Sequence, residues 1–116
     1  MEKHNFQFNK YKIEVNIMYS YSIEENVATI KMHKEALGGE DAMYFAEVIK
    51  KLPPEVETLI LDMSQLELMN SSGIGMLAKT SVDLKSRNIT LELINVNPNI
   101  MHLLEITQLN KIFTVI

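Results

Sequence analysis

Residues 58–61 read Thr-Leu-Ile-Leu, a short run that is almost wholly apolar. A run of this length and composition is typical of a strand covered on both faces, as in parallel sheets with helices on either side. Apolar residues at helical spacing stand before and after it, namely Phe45, Val48, Ile49 and Leu52, then Ile74, Leu77 and Ala78. A buried strand between two amphipathic helices predicts an α/β fold.

A β-hairpin is predicted ahead of this unit. Residues 11–21 and 27–32 are rich in Ile, Val, Tyr and Thr, which favour strands. The polar turn Glu24-Glu25-Asn26 lies between them and predicts that the two strands pair as neighbours. A helix should follow, and Pro53-Pro54 should end it because the residue before a proline is disfavoured in the helical conformation.

Helices and strands continue to alternate after the buried strand. A second helix is predicted over residues 72–87 and a strand over 90–96. Asn97-Pro98 is typical of an N-cap followed by proline at the first helical position, which begins a third helix. Residues 112–116 are apolar and predict a terminal strand. This order predicts a mixed β-sheet packed with α-helices and right-handed crossovers.

Composition excludes several classes of protein. The absence of cysteine excludes a disulfide scaffold, a thiol nucleophile and a cysteine-ligated metal. A net charge of -4 argues against direct nucleic-acid binding. No stretch approaches the roughly 18 apolar residues of a membrane span, and the polar N-terminus does not resemble a signal peptide. We therefore expect a cytoplasmic protein without membrane insertion, with one domain over residues 11–116 after a short extension over 1–10.

Neither a metal site nor a cofactor is expected. The three histidines, His4, His33 and His102, have no partner at ligand spacing. Residues 73–78 formally match the G-x-G-x-x-A dinucleotide fingerprint, but ten residues separate the glycines from the preceding strand, which that fingerprint does not allow. A dinucleotide-dependent oxidoreductase is therefore not expected.

Several residues around the start of the second helix have more than one interpretation. Asp62 ends the buried strand, where α/β sheets place ligands, or it caps the following loop through backbone bonds. Asn70, Ser71 or Ser72 caps the helix, or a serine there accepts a phosphate that meets the positive end of the helix. Glycines at 73 and 75 are expected to let a neighbouring backbone or a partner approach closely.

Two segments resemble the signature of STAS domains, and in particular of bacterial anti-sigma factor antagonists. They are Leu61-Asp62-Met63-Ser64 and the run Met69-Asn70-Ser71-Ser72-Gly73-Ile74-Gly75. The likeness extends to Asn97-Pro98 and residues 103–113, and covers about residues 13–116. It implies a small α/β domain that binds a partner and is switched by phosphorylation of one serine, which corresponds to Ser71. Two departures are Asn70 in place of an acidic residue and Gln108 in place of a glycine, so that the third helix is expected to end differently.

The resemblance implies partner switching, in which the domain is a substrate and not an enzyme. The unphosphorylated domain would bind an anti-sigma factor with serine kinase activity and so release a sigma factor; phosphorylation would break the complex, and a serine phosphatase would reset it. The implied switch loop and helix N-terminus comprise Asp62, Asn70, Ser72, Gly73 and Gly75. The implied partner surface comprises Met76, Lys79 and Asp83, which are predicted to lie on the outer face of the second helix with Arg87.

Three alternatives stay open. Met63, Met69 and Met76 are either core residues or an adaptable interface. The domain could instead be a scaffold or accessory subunit of a signalling or lipid-transport complex, in which Ser71 is only part of a helix start. A small nucleotide-binding hydrolase is the enzymatic alternative.

Overall fold

The computed structural model describes residues 13–15, 19–32, 35–36 and 40–116, so the extension predicted for residues 1–10 lies outside the described residues. The strands are β1 (Ile13–Val15), β2 (Tyr19–Glu24), β3 (Val27–Met32), β4 (Glu35–Ala36), β5 (Thr58–Asp62), β6 (Leu68–Met69), β7 (Thr90–Ile94) and β8 (Thr114–Val115). The helices are α1 (Glu40–Lys50), α2 (Ser71–Ser86) and α3 (Pro98–Ile106), with a 3-10 helix at Leu109–Lys111.

Six of these strands form one mixed sheet in the order β1-β2-β3-β5-β7-β8. The first three pair antiparallel, and β3, β5, β7 and β8 pair parallel. The predicted α/β fold with a mixed sheet is therefore confirmed. Strands β4 and β6 form a separate, two-stranded parallel pair.

The central strand β5 is buried, as its composition predicts. Leu59 and Leu61 are fully buried, while Thr58 and Ile60 on the other face are half-buried. Buried side chains of α1 and α2 belong to the same hydrophobic core, and these include Phe45, Val48, Leu77 and Leu84. Removing this much apolar surface from water provides the main stabilisation of the fold.

The hairpin before β5 is confirmed, with one difference. Strands β2 and β3 pair from Tyr19 opposite Met32 to Glu24 opposite Val27. The single strand predicted over residues 11–21 instead contains two strands, β1 and the start of β2, which pair antiparallel with each other. A hydrophobic pattern alone does not reveal where a strand is interrupted.

The start of the third helix is also confirmed. Asn97 is its N-cap: the side-chain oxygen accepts the backbone N–H of Ile100 at 2.8 Å, and Pro98 is the first helical residue. The Asn97 side chain also donates to the carbonyl of Leu66 at 2.8 Å. Asn97 therefore fastens the loop between β5 and α2 to the beginning of α3.

The end of the third helix uses a backbone conformation that favours glycine. Gln108 has φ 64°, in the left-handed region, which is where a glycine commonly follows the last residue of a helix. The expectation that this end is built differently is thus wrong, because Gln108 adopts the glycine-type conformation despite its side chain.

We expect Gln108→Gly to raise the free energy of unfolding by about 1 kcal/mol, since glycine enters the left-handed region without the steric cost that a β-carbon adds. Urea denaturation measures the change. Gln108→Ala is the control, because alanine keeps the β-carbon. Equal stabilities of the glycine and alanine variants would show that the backbone at this position is not strained.

Candidate functional site

Asn70 is the N-cap of α2. Its backbone is extended (φ -98°, ψ -177°), and its side-chain oxygen accepts the N–H of Gly73 at 2.8 Å. The N–H of Ile74 donates to the Asn70 carbonyl at 2.9 Å. Among the three capping candidates, Asn70 therefore caps the helix, and the serine hydroxyls are not required for it.

Ser71 and Ser72 are the first two residues of α2, and both are exposed. The N–H groups of a first helical turn have no carbonyl partner within the helix. Because Asn70 takes the N–H of Gly73, those of Ser71 and Ser72 stay available to an incoming acceptor. The first turn contains no acidic residue, so its positive partial charge is not offset by a side chain of the turn.

The loop before α2 is held in place on both sides. Strand β6 pairs with β4, and Met69 at its end is buried. Further back, the N–H of Leu66 donates to the Met63 carbonyl at 3.0 Å, and the Leu66 carbonyl accepts from Asn97. The position of Ser71 is thus set by backbone pairing and a buried anchor.

Asp62 acts as a cap of this loop. One carboxylate oxygen accepts the backbone N–H of Ser64 at 3.0 Å and the side-chain amide of Asn95 at 3.1 Å. Burial raises the pKa of Asp62, but the hydrogen bonds from Asn95 and Ser64 and the positive charge of Lys31 together hold the pKa below its usual value of 3.8. These contacts favour the loop-capping interpretation over a ligand site.

The outer face of α2 differs from the predicted one at Met76. Lys79 and Asp83 are exposed as expected, but Met76 is only 7% exposed and belongs to the hydrophobic core. The buried residues of α2 are Gly73, Met76, Leu77, Thr80 and Leu84. The predicted inner stripe of Ile74, Leu77 and Ala78 therefore agrees with the observed face only in part: Leu77 is buried, Ile74 and Ala78 are half-buried, and the buried face also includes Met76 and the polar Thr80.

Arg87, the last residue of the predicted outer face, is not fully exposed, and two further methionines are buried. Arg87 is half-buried, and its guanidinium donates to the carbonyl of Ile49 at 2.9 Å at the end of α1. Met63 and Met69 are 1% and 6% exposed. With Met76, they are core residues, and the interpretation of the three methionines as an adaptable interface is wrong.

Gly75 lies on the exposed face, where a β-carbon would meet no atom within 4 Å. The expectation that a neighbouring backbone approaches Gly75 closely is therefore wrong. Of the two expected reasons for a glycine here, only approach by a partner protein is left. Gly73, by contrast, is buried.

We expect Gly75→Ala to raise the free energy of unfolding by about 0.5–1 kcal/mol, because alanine is the better helix former and finds open space. Chemical denaturation checks this. A destabilised Gly75→Ala variant would contradict the open space at this position.

Sequence reasoning missed Leu68. This residue of β6 is 51% exposed although it is large and apolar, and it lies two residues before the N-cap of α2. Its exposure was not evident from the sequence, where it stands among Leu66, Glu67 and Met69 in a run that resembles a buried segment. Leu68 therefore places an exposed apolar side chain three residues before Ser71.

Within the described parts of the chain, no group of three or more acidic or histidine side chains is placed to hold a metal ion. No helix among the described residues has both the length and the apolar character needed to cross a membrane.

The family model of the STAS domain matches residues 13–116. The chain therefore belongs to the STAS domain family. No curated protein matches the sequence.

Three solved structures illustrate the likeness of the fold. An anti-sigma factor antagonist from Mycobacterium paratuberculosis is 20% identical, with a TM-score of 0.68 over 86% of this chain and 85% of that one. The phosphorylated form of the Bacillus cell fate determinant SpoIIAA is 16% identical, with a TM-score of 0.64 over 84% and 90% of the two chains. The murine anion transporter Slc26a9 is 20% identical, with a TM-score of 0.68 over 81% of this chain and 16% of the transporter.

Proposed function

We propose that this STAS domain is an anti-sigma factor antagonist that is controlled by phosphorylation of Ser71. The observation that supports this proposal is the arrangement at the start of α2. Asn70 caps the helix, and the adjacent Ser71 is exposed and not needed as a cap. In this proposal the domain is a substrate and a binding protein. Its partners are an anti-sigma factor with serine kinase activity and a serine phosphatase, and its compartment is the cytoplasm.

A phosphate on Ser71 is compatible with the folded domain. It adds about -1.5 to -2 charges at neutral pH beside the uncapped N–H groups of the first turn. Negative charge at a helix N-terminus stabilises the helix, typically by about 0.3–1 kcal/mol. The modification should therefore act on the interface with the partner and leave the fold intact.

The exposed residues of α2 supply a continuous surface for that partner. Ser71, Gly75, Lys79 and Asp83 follow one another at four-residue spacing and are all exposed. They form one ridge on the helix, about 18 Å long at 1.5 Å per residue. Leu68 adds an exposed apolar group near the Ser71 end. We call this surface the Ser71 ridge, and Met76 is not part of it.

Phosphopeptide mapping tests the proposal. The purified chain is incubated with ATP and each anti-sigma factor kinase encoded in the same genome, and the site is located by mass spectrometry. We expect phosphate on Ser71 in the wild type and in Ser72→Ala, and none in Ser71→Ala. Phosphate on Ser72 alone would contradict the residue assignment, and phosphate on neither serine with every kinase would contradict the switch.

The fold likeness to the STAS region of Slc26a9 favours a second candidate, a scaffold or accessory domain without a phospho-switch. In that case Ser71 is an ordinary first residue of a helix. The chain would gain no phosphate, and it would bind its partner equally well as wild type and as Ser71→Asp.

A further inference from the structure

A groove of about 630 Å³ lies between the second half of α2 and the edge of the sheet that β7 and β8 form. Residues of α2, of β7, of the 3-10 helix and of the segments beside them line it. The six that carry the argument are Val82, Lys85, Ile89, Leu91, Lys111 and Ile112.

The groove has an apolar rim. Val82 is 69% exposed and Ile112 is 50% exposed, while Ile89 and Leu91 beneath them are buried. These two exposed side chains, together with Ile89 and Leu91, give the groove apolar surface that a protein partner could cover.

The groove is also basic, although the chain carries a net charge of -4. Lys85 and Lys111 line it, and none of its lining residues is acidic. In the described part of the chain, neither lysine forms an ion pair. An occupant with negative charges would therefore find two ammonium groups whose charges are not already balanced.

We propose that this groove binds an acidic amphipathic helix of a partner protein. The apolar face of that helix packs on Val82 and Ile112, and its carboxylates pair with Lys85 and Lys111. Helices that dock in this way present apolar residues at three- and four-residue spacing, so one face can meet both the apolar rim and the flanking lysines.

Charge disfavours the other occupants. Residues 1–12 contain three lysines and one glutamate, so they would bring positive charge to a positive groove. A second copy docked through the same groove would place its own lysines opposite Lys85 and Lys111. The groove is also a different surface from the Ser71 ridge, because none of its lining residues belongs to that ridge, although both surfaces lie along α2. The inference does not depend on the phospho-switch.

A designed peptide tests the groove directly. The probe is a labelled peptide of about 16 residues, long enough to form a helix in its bound state, with leucines on one face and glutamates on the other. Its matched control carries lysines in place of the glutamates. Binding to the full chain is measured by fluorescence anisotropy, and the footprint is mapped by backbone NMR shifts.

We expect saturable binding of the glutamate peptide, weakened by added salt, with the largest shifts at Val82, Asn88 and Thr114. The double variant Lys85→Gln with Lys111→Gln should bind it about five- to tenfold more weakly. Lys50→Gln with Lys51→Gln removes the same charge at the end of α1, away from the groove, and it should bind like the wild type.

Four outcomes would overturn the proposal. The first two are equal binding of the lysine peptide and a footprint outside the groove. The third is groove shifts that depend on protein concentration, because these would indicate a second copy of the chain. The fourth is displacement of the probe by a synthetic peptide of residues 1–12, which would assign the groove to the chain's own N-terminal segment.

Discussion

A Ser71→Asp variant is expected to bind the proposed anti-sigma factor partner at least about tenfold more weakly than the wild type, while its melting temperature stays close to that of the wild type. The new carboxylate must lose water against a partner surface shaped for a neutral hydroxyl, which costs affinity. In the free domain the same charge lies beside the positive end of α2, where it is favourable. Isothermal titration calorimetry with the partner and thermal denaturation measure the two effects separately.

Two matched variants make this result specific. Ser71→Ala removes the phospho-acceptor without adding charge, and it should bind whether or not kinase and ATP are present. Ser72→Asp introduces the same charge one residue further on, about 100° around the helix, and it should weaken binding less. Equal binding of Ser71→Asp and wild type would show that a charge at this position does not control the interface.

Much of the fold could be predicted because the relevant signals are local. The almost wholly apolar run from Thr58 to Leu61 has the length of a buried strand and is too short for a buried helix. Asn97-Pro98 combines a side-chain acceptor with a residue that needs no N–H donor, which suits only the start of a helix. Both features depend on neighbouring atoms of the same segment, and the structure shows them as predicted.

The errors arose where distant parts of the chain decide the outcome. The buried face of α2 includes Thr80 as well as Met76, and the sequence does not show which face of the helix meets the sheet. Gly75 is on the outer face, so its β-carbon position is open, although a neighbouring backbone or a partner was expected to approach it closely. Leu68 is exposed while the next residue of β6, Met69, is buried, because neighbouring side chains of a strand point to opposite faces. Each of these facts depends on tertiary packing.

In the candidate site, too, local features could be predicted from the sequence and features that depend on distant residues could not. That one of Asn70, Ser71 and Ser72 would cap α2 followed from residue type, but only the structure identifies Asn70 as the cap. The hydrogen bond from Asn95 to Asp62 joins residues 33 positions apart, and no sequence pattern predicts it.

Met76→Asp is expected to lower the free energy of unfolding by at least about 3 kcal/mol, because it removes a buried apolar side chain and places a carboxylate in the core. That is a large part of the roughly 5–15 kcal/mol that stabilises a typical domain. Urea denaturation should therefore show an earlier midpoint, and partner binding should fall because less of the protein is folded.

Two controls separate this effect from loss of a contact at the interface. Met76→Leu nearly conserves the side-chain volume, and such changes usually cost less than about 1.5 kcal/mol, so it should keep both stability and binding. Lys79→Asp places the same carboxylate three residues on, on the exposed Ser71 ridge, and should leave the unfolding midpoint close to that of the wild type while it weakens binding. A Met76→Asp variant that unfolds at the wild-type midpoint would contradict the burial of Met76. It would indicate that this residue lies on the outer face of α2.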